Sequence, residues 1–272
     1  MTEIMIEKLK SLKDKNGNVY IKEGWLDNID NEIFNKQDEN NLSINECIEK
    51  CTSPTGEEKI EAIFRAFSLF PSNETQVLIL GQDPYPDPNK AQGLAFSCKK
   101  GRAASLTKIF KAIDEYKGNG THKYNYDLTN WAIENKVCLL NAALTFEKSS
   151  LYKNNKKKDL TKEQQKKLEK DQQAKQKEHV KAWSDFVVKI MEKLIKENKN
   201  LVVFLWGDKA KQLFEKCTGY KTITHIFPTS HPRKRLKHGE IDKFSEETPE
   251  HFRACDEFLG KKIWKNFPEN NQ

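Results

Sequence analysis

The sequence predicts an α/β protein with a central, four-stranded, mostly parallel sheet and helices on both faces. Three observations lead to this prediction: short apolar runs recur along the chain, helix-like segments separate them, and each run stops at a polar or turn residue. Strands that are apolar on both sides are typical of a parallel sheet covered by helices. Because ligands bind beyond the carboxyl ends of such strands, the residues that follow each run are the candidates for function.

Four runs have the length and apolar composition of buried strands. They are Val77–Leu80 before Gly81, Val137–Leu140 before Asn141, Leu201–Leu205 before Trp206-Gly207, and Thr222–Phe227 before Thr229. Apolar residues at helical spacing predict helices between and around these runs. The predicted helices cover residues 57–70, 105–116, 178–195 and 250–259, and a further helix begins near Asp208 and runs to Lys216. This alternation of strands and helices predicts the doubly covered sheet.

The chain divides into an amino-terminal region and one larger domain. Residues 1–56 are polar and interrupted, which predicts a helical or irregular arm packed on the core, and residues 57–272 form the α/β domain. Within that domain, residues 153–177 contain ten lysines against four acidic residues. Two interpretations of this Lys-rich segment stay open: a solvated insertion or helix extension, and an arm that contacts nucleic-acid phosphates.

Charge and cysteine content limit the function classes. Lys and Arg number 47 against 40 Asp and Glu, so the formal net charge is +7, which permits a polyanionic partner without establishing one. The six cysteines have no zinc-ribbon or redox spacing, which predicts reduced thiols in a cytoplasmic or nuclear protein and no metal site. No apolar run approaches the ~20 residues of a membrane span, and the acidic start of the chain argues against secretion.

Polar side chains follow three of the four predicted strands. Asp83 comes after the first strand, Asn141 after the second and His231 after the fourth, so we expect them to meet at one edge of the sheet. A carboxamide suits the edge of a planar base, and an imidazole can donate to an oxygen that gains negative charge. A carboxylate can stabilise a developing cation or orient a water molecule. Cleavage of an N-glycosidic bond generates this pair of charges, although each residue alone is also common in turns and caps.

The residues after the first strand carry a resemblance to a known family. Gly81-Gln82-Asp83-Pro84-Tyr85, with Ala91–Ser97 after it, resembles the water-activating motif of the family 1 uracil-DNA glycosylases. Leu139–Asn141 with Leu144-Thr145 is similar to that family's uracil-recognition strand, and His231-Pro232 is similar to the start of its DNA-intercalation loop. Together with weaker similarities at Phe204–Gly207, His179, Trp183 and His251-Phe252, the resemblance covers about residues 57–267.

The resemblance implies a monofunctional DNA N-glycosylase of base excision repair. Such an enzyme hydrolyses the N-glycosidic bond of deoxyuridine in DNA and leaves free uracil and an abasic site. Asp83 would stabilise the sugar cation and position the water, and His231 would hydrogen-bond O2 of the departing uracil. The resemblance further implies no cofactor, a monomer, single- or double-stranded uracil-containing DNA as substrate, and a DNA-mimicking protein as a possible inhibitor.

The remaining site residues are also implied by the resemblance. For uracil binding they are Gln82 lining the pocket, Tyr85 blocking the methyl group of thymine, Phe96 stacking on the base, and Asn141 reading N3 and O4. For DNA binding they are Ser105, which would grip a phosphate, and the loop residues Pro232, Arg233, Lys234, Arg235 and Leu236, with Leu236 as the intercalating wedge.

Two departures from the family pattern keep other functions open. Pro86 stands where most members have a histidine, and the loop after Pro232 is altered so that Leu236 is displaced by one residue. A related glycosylase with another base preference, or a catalytically weak DNA-binding protein of the same fold, would both accommodate these departures. A small-molecule α/β enzyme is disfavoured, because the chain has neither a Gly-x-Gly-x-x-Gly turn nor a phosphate loop.

Overall fold

The computed structural model describes residues 5–54, 59–118, 120, 122–149, 160–234, 236–265 and 267–268, and its centre is a sheet of four parallel strands. The strands are β1 (Val77–Gly81), β2 (Val137–Asn141), β3 (Val202–Trp206) and β4 (His225–Thr229), in the order β2-β1-β3-β4. The predicted fold class is therefore confirmed.

The register of the sheet brings the carboxyl ends of the strands together. Gly81 pairs with Asn141 at the ends of β1 and β2, and Trp206 pairs with Thr229 at the ends of β3 and β4. Every residue of β1, β2 and β3 is buried, whereas β4 at the sheet edge is partly exposed. The segments that follow the strands consequently emerge along a single edge.

The fourth strand lies further along the chain than the sequence predicts. Tyr220–Thr222 form a single 3-10 turn, and the strand begins at His225 and extends through Pro228. Proline cannot donate a ladder hydrogen bond, so its presence in a strand is compatible with the edge position that β4 occupies.

Helices pack on both faces of the sheet. In the described parts of the chain they are α1 (Met5–Ser11), α2 (Glu32–Asn35), α3 (Ile44–Lys50), α4 (Lys59–Phe64), α5 (Ala104–Lys117), α6 (Thr129–Asn135), α7 (Lys162–Glu197), α8 (Asp208–Phe214) and α9 (Lys243–Leu259). Alternate strand residues point to opposite faces. Leu78 and Leu80 of β1 therefore join the core with α7, while Val77 and Ile79 join the core with α5 and α9.

The amino-terminal helices share the core of the α7 face. Trp25, Phe34 and Ile44 are fully buried in the same cluster as Trp183 and Phe186 of α7. The indole N–H of Trp25 donates to the Phe70 carbonyl at 2.7 Å. Burial of such large aromatic side chains fixes residues 5–54 against this face of the sheet.

Three helices differ in extent from the sequence prediction. The helix predicted for residues 57–70 is only α4, because Arg65–Phe67 continue as a 3-10 turn. The final helix begins at Lys243, before the predicted start, and contains Pro249 in its interior. The helix predicted for residues 178–195 begins already at Lys162, where Thr161 and Gln164 form a capping box. Residues 162–177 of the Lys-rich segment are thus a helix extension, and residues 153–159 lie outside the described residues.

Gly93 provides a test of the packing around the loop that precedes α5. Its φ is +77°, and a Cβ atom there would lie 1.9 Å from the carbonyl oxygen of Ala62. We expect Gly93→Ala to lower the free energy of unfolding by about 3 kcal/mol, measured by urea denaturation. Gly101 has a φ of +75° but open space around it, so Gly101→Ala should cost only about 1 kcal/mol. Equal losses in the two variants would show that the clash with Ala62 is not what requires glycine at position 93.

Candidate active site

A cavity of about 870 Å³ opens at the edge where the strands end. Among the site residues expected from the sequence, those that line it are Gln82, Asp83, Tyr85, Phe96, Ser105, Asn141, His231 and Arg233, and Pro86 lines it as well. The carboxylate, carboxamide and imidazole expected to meet are therefore brought together. Pro232, Lys234 and Leu236 belong to the adjoining loop and do not line the cavity, and Arg235 lies outside the described residues.

The ends of β1 and β2 hold Asn141 at the floor of the cavity. A Cβ atom on Gly81 would lie 2.5 Å from Oδ1 of Asn141, so the absence of a side chain at position 81 leaves room for the Asn141 carboxamide. Beyond the strands, the amides of Ala142 and Ala143 donate to the carbonyl groups of Gly81 and Gln82, both at 3.0 Å. The two chain segments therefore continue side by side into the site.

Asp83 is a carboxylate in an environment that disfavours its charge. Burial raises the pKa of Asp83 to about 6, while a hydrogen bond from Nε2 of Gln176 and the positive charge of Lys209 act in the opposite direction. At neutral pH the group is consequently ionised, but it takes up a proton on mild acidification. Perturbed carboxyl groups of this kind are common where a protein performs chemistry.

His231 is held as a neutral hydrogen-bond donor. Burial, together with the nearby positive charges of Arg233 and Lys108, lowers the pKa of His231 to about 4. The backbone N–H of Arg233 donates to Nδ1 of the ring at 3.0 Å. Because Nδ1 is an acceptor, the neutral ring carries its proton on Nε2, which is then the atom that can donate to a ligand.

An aromatic wall is formed by Phe96 and Tyr85. Phe96 has a positive φ of 64°, which is rare for a bulky residue. The hydroxyl of Tyr85 donates to the Phe96 carbonyl at 2.6 Å, and the Ala95 amide donates to the Leu139 carbonyl at 3.0 Å. The ring of Phe96 packs edge-on against Trp206 with centroids 5.1 Å apart. These contacts fix the ring of Phe96 despite its strained backbone.

A buried polar network supports this wall from behind. Nη1 of Arg65 donates to Oε1 of Gln92 at 2.8 Å, and Nε2 of Gln92 donates to Asp127 at 3.0 Å and to Oγ of Ser97. The Ser97 hydroxyl also accepts from the Leu128 amide at 2.9 Å. Sequence reasoning missed Arg65 and Asp127, because nothing in their local pattern indicates that both contact Gln92.

The extended part of α7 forms another side of the cavity. Its lining residues are Leu168, Glu169, Gln172, Gln173 and Gln176. All of them lie in the Lys-rich segment, for which the sequence offered no role inside the site. The sequence contains one feature that could have indicated burial of this side of the helix, namely the large apolar residue Leu168 in a mostly polar stretch.

The loop between β4 and α9 carries charged and apolar side chains at the rim. Lys234 forms an ion pair with Glu240, and Lys108 of α5 forms one with Asp242 at 2.6 Å. The side chains of Leu236 and Ile241 are 40% and 59% exposed. The loop therefore presents two apolar side chains to solvent beside the cavity.

No cluster of metal-ligating side chains occurs among the residues that the structure describes. Over the same residues, none of the helices combines the length and apolar character needed to cross a membrane.

Comparisons with known proteins agree with this arrangement. Residues 67–263 match the family described as the uracil DNA glycosylase superfamily. A uracil-DNA glycosylase of Campylobacter jejuni strain 81-176 is 32% identical over 205 residues, 75% of this chain and 74% of the relative. One from Lactococcus lactis subsp. cremoris is 52% identical over 87 residues, 30% of this chain and 38% of the relative. The crystal structure of mimivirus uracil-DNA glycosylase, 19% identical, matches with a TM-score of 0.55 over 75% of this chain and 72% of that chain.

The raised pKa of Asp83 predicts a stability cost at neutral pH. The folded protein binds the Asp83 proton more tightly than the unfolded chain, whose pKa is near 3.8, so stability falls as the pH rises from about 4 to about 6. We expect Asp83→Asn to be more stable than the parent at pH 8, by on the order of 1–3 kcal/mol, and to lose this advantage near pH 4. Chemical denaturation at the two pH values measures the difference.

The matched control for that experiment is Asp185→Asn. Asp185 is an exposed carboxylate of α7 that pairs with Lys36, so its removal should leave stability unchanged or slightly lower at both pH values. An Asp83→Asn protein less stable than the parent at pH 8 would contradict the burial cost assigned to Asp83.

Proposed function

Because the chain belongs to the uracil DNA glycosylase superfamily, we propose that it removes uracil from DNA by hydrolysing the N-glycosidic bond of deoxyuridine. The observation that carries the proposal is that Asp83, Asn141 and His231 line one cavity. At neutral pH, Asp83 is an ionised carboxylate and His231 is a neutral hydrogen-bond donor. The motif from Gly81 to Tyr85 supports placement in family 1 and a monofunctional hydrolytic reaction.

Binding begins with extrusion of the uracil nucleotide from the DNA stack, which costs a few kcal/mol. In the proposed complex the base lies against Phe96, and the Asn141 carboxamide pairs with N3 and O4, for which its donor and acceptor are suited. Gln82 and Tyr85 complete the wall around the base, where Tyr85 leaves no room for a methyl group on C5.

The chemical step separates charge across the bond between N1 of the base and C1′ of the sugar. As that bond breaks, its electron pair moves to the uracil ring, and Nε2–H of His231 donates to the oxygen O2 that becomes negative. The ionised Asp83 stabilises the cation at C1′ and orients a water molecule. The water oxygen bonds to C1′ and its proton is released, so the products are the uracil anion and an abasic sugar.

The rim of the cavity supplies groups for DNA. Ser105 lies in the first turn of α5, whose N-cap residue Ala103 makes no side-chain hydrogen bond, so the first amides of the helix suit a phosphate. Arg233 lines the cavity and Lys234 lies next to it in the exposed loop. We assign the phosphate contacts to these residues together with Arg235, and the wedge that fills the vacated space to the exposed Leu236, with Pro232, which is buried, earlier in the same loop. A protein that imitates the charge of DNA would compete for the same rim.

Uracil release from a deoxyuridine oligonucleotide tests the proposal directly. We expect the wild-type protein to generate abasic sites, and Asp83→Asn and His231→Leu to slow release by at least about 10²–10³-fold. The wild-type rate should fall as the pH drops through about 6, where Asp83 is protonated. His231→Leu should keep this acid limb, because His231 loses its own proton near pH 4 and is already neutral.

The control variants are Asp185→Asn and His225→Leu, which remove a carboxylate and an imidazole outside the cavity. They should retain the wild-type rate. A wild-type preparation that leaves deoxyuridine intact would overturn the proposed function, and normal turnover by Asp83→Asn would overturn the assignment of Asp83.

Tyr85 provides a test of base selection. We expect Tyr85→Ala to open space at C5 and release thymine from T·A oligonucleotides, while uracil release continues at a reduced rate. Tyr85→Phe keeps the ring and removes only the hydroxyl that donates to Phe96, so it should still reject thymine. Both bases are measured by chromatography of the released products. Absence of thymine release by Tyr85→Ala, or its appearance with Tyr85→Phe, would contradict a steric role of the ring.

A further inference from the structure

Residues 168, 172 and 176 of α7 lie one helical turn apart and form a row along the cavity. Leu168 is only 1% exposed, and the row also includes Gln172 and Gln176. Side chains four residues apart share a face of an α-helix, so the placement of one member fixes the direction of the others. The row ends at Gln176, whose Nε2 donates a hydrogen bond to Oδ2 of Asp83.

This part of α7 is anchored to the segment that follows β2. Nε2 of Gln172 donates to the Glu147 carbonyl at 2.8 Å, and Oε1 of Gln172 accepts from the Ser149 amide at 2.9 Å. Lys175 forms an ion pair with Glu147 at 2.5 Å, partly shielded from solvent. One turn further, Nδ1 of His179 and the Thr145 hydroxyl are 2.9 Å apart. Gln176 is therefore presented from a helix held on both sides of it.

The turn that contains Asp83 provides few donors of its own. Pro84 follows Asp83 directly and Pro86 follows Tyr85, and proline has neither a backbone N–H nor a polar side chain. A carboxylate that is partly withdrawn from water, as Asp83 is, needs hydrogen-bond donors to remain oriented and charged. The donor to the Asp83 side chain comes instead from α7, more than ninety residues away in the sequence.

We propose that Gln176 is a positioning residue for Asp83. Its carboxamide donates a hydrogen bond that holds the Asp83 carboxylate in the orientation needed for the reaction proposed above, so the inference rests on that function. A carboxamide that gives one N–H to Asp83 keeps a second N–H and a carbonyl oxygen. It is thus also suited to hold a water molecule beside the carboxylate.

Besides Gln176, charged groups around Asp83 also affect its pKa. Lys209 of α8 lowers the pKa of Asp83, and burial in turn lowers the pKa of Lys209 itself. The other charged or titratable side chains that line the cavity are Tyr85, Asp87, Lys148, Glu169, His231 and Arg233. Among the described residues, the side chain that donates a hydrogen bond to Asp83 is that of Gln176, and this bond opposes the effect of burial.

The test compares Gln176→Leu and Gln176→Glu with Gln173→Leu, in which another glutamine that lines the cavity is replaced on the same helix. Uracil release is followed from pH 5 to pH 9. At each pH the substrate concentration is varied, so that kcat and KM are obtained separately. In parallel, the Asp83 carboxyl group is titrated by NMR in protein labelled with 13C at the aspartate side chains. Its resonance is identified by its loss in Asp83→Asn.

Loss of a hydrogen bond to a charged group should move the midpoint of the acid limb and of the NMR titration upward by about one to two pH units in Gln176→Leu. At pH 6.5 we expect kcat to fall by about 3- to 20-fold, with most of the loss recovered above pH 8 and little change in KM. Gln176→Glu, which sets a second carboxylate beside Asp83, should move the midpoint further. Gln173→Leu should leave both midpoints in place.

The two readouts distinguish failure of the inference from failure of the proposed function. If the wild-type protein releases uracil and Gln176→Leu keeps its midpoint, Gln176 has only a structural role and the inference is wrong. If the wild-type protein releases no uracil at any pH, the proposed function is wrong, and the NMR titration still decides whether Gln176 controls the Asp83 carboxylate.

Discussion

The close approach of β1 and β2 at their carboxyl ends is the contact on which the cavity depends. Gly81 pairs with Asn141, and the missing side chain at position 81 leaves room for the Asn141 carboxamide. The amides of Ala142 and Ala143 continue the pairing beyond the strands. Because this backbone is hydrogen-bonded throughout, the segment with Asp83 and the segment after Asn141 cannot shift independently. The loop that carries Asp83 is therefore anchored directly to the strand ends.

Burial acts in opposite directions on the two titratable groups of the site. It raises the pKa of Asp83 and lowers that of His231, because in each case the charged form is the one that loses water. The outcome at neutral pH is a charged carboxylate and an uncharged imidazole in the same cavity. Both groups therefore have the protonation state that suits a reaction in which a cation develops near Asp83 and an anion develops near His231.

Much of the fold could be predicted from the sequence, because buried parallel strands leave uninterrupted apolar runs such as Val77–Leu80. Asp83, Asn141 and His231 were identifiable because they directly follow such strands or the turns after them. The predicted start of β4 was wrong, because Thr222 and Ile223 are β-branched, as strand residues often are, although both precede the strand. The helix extension at the start of α7 was one of the interpretations that the sequence left open, but its place in the cavity wall and the role of Gln176 could not be predicted, because a polar helix beside a cavity has the same composition as a solvated one. Contacts such as Arg65 with Gln92 depend on tertiary structure alone.

The length of α7 has a mechanical consequence. One uninterrupted helix of 36 residues contributes Trp183 and Phe186 to the core and, nearer its start, a wall of the cavity. It contains neither glycine nor proline, so no residue along it favours a hinge. The part of α7 that lines the cavity can therefore move only together with the core or by unwinding of the first turns of the helix. The Lys, Gln and Glu residues of those turns favour the helical state. A ligand in the cavity therefore meets, on this side, a wall whose position is set by the packing of Trp183 and Phe186 in the core.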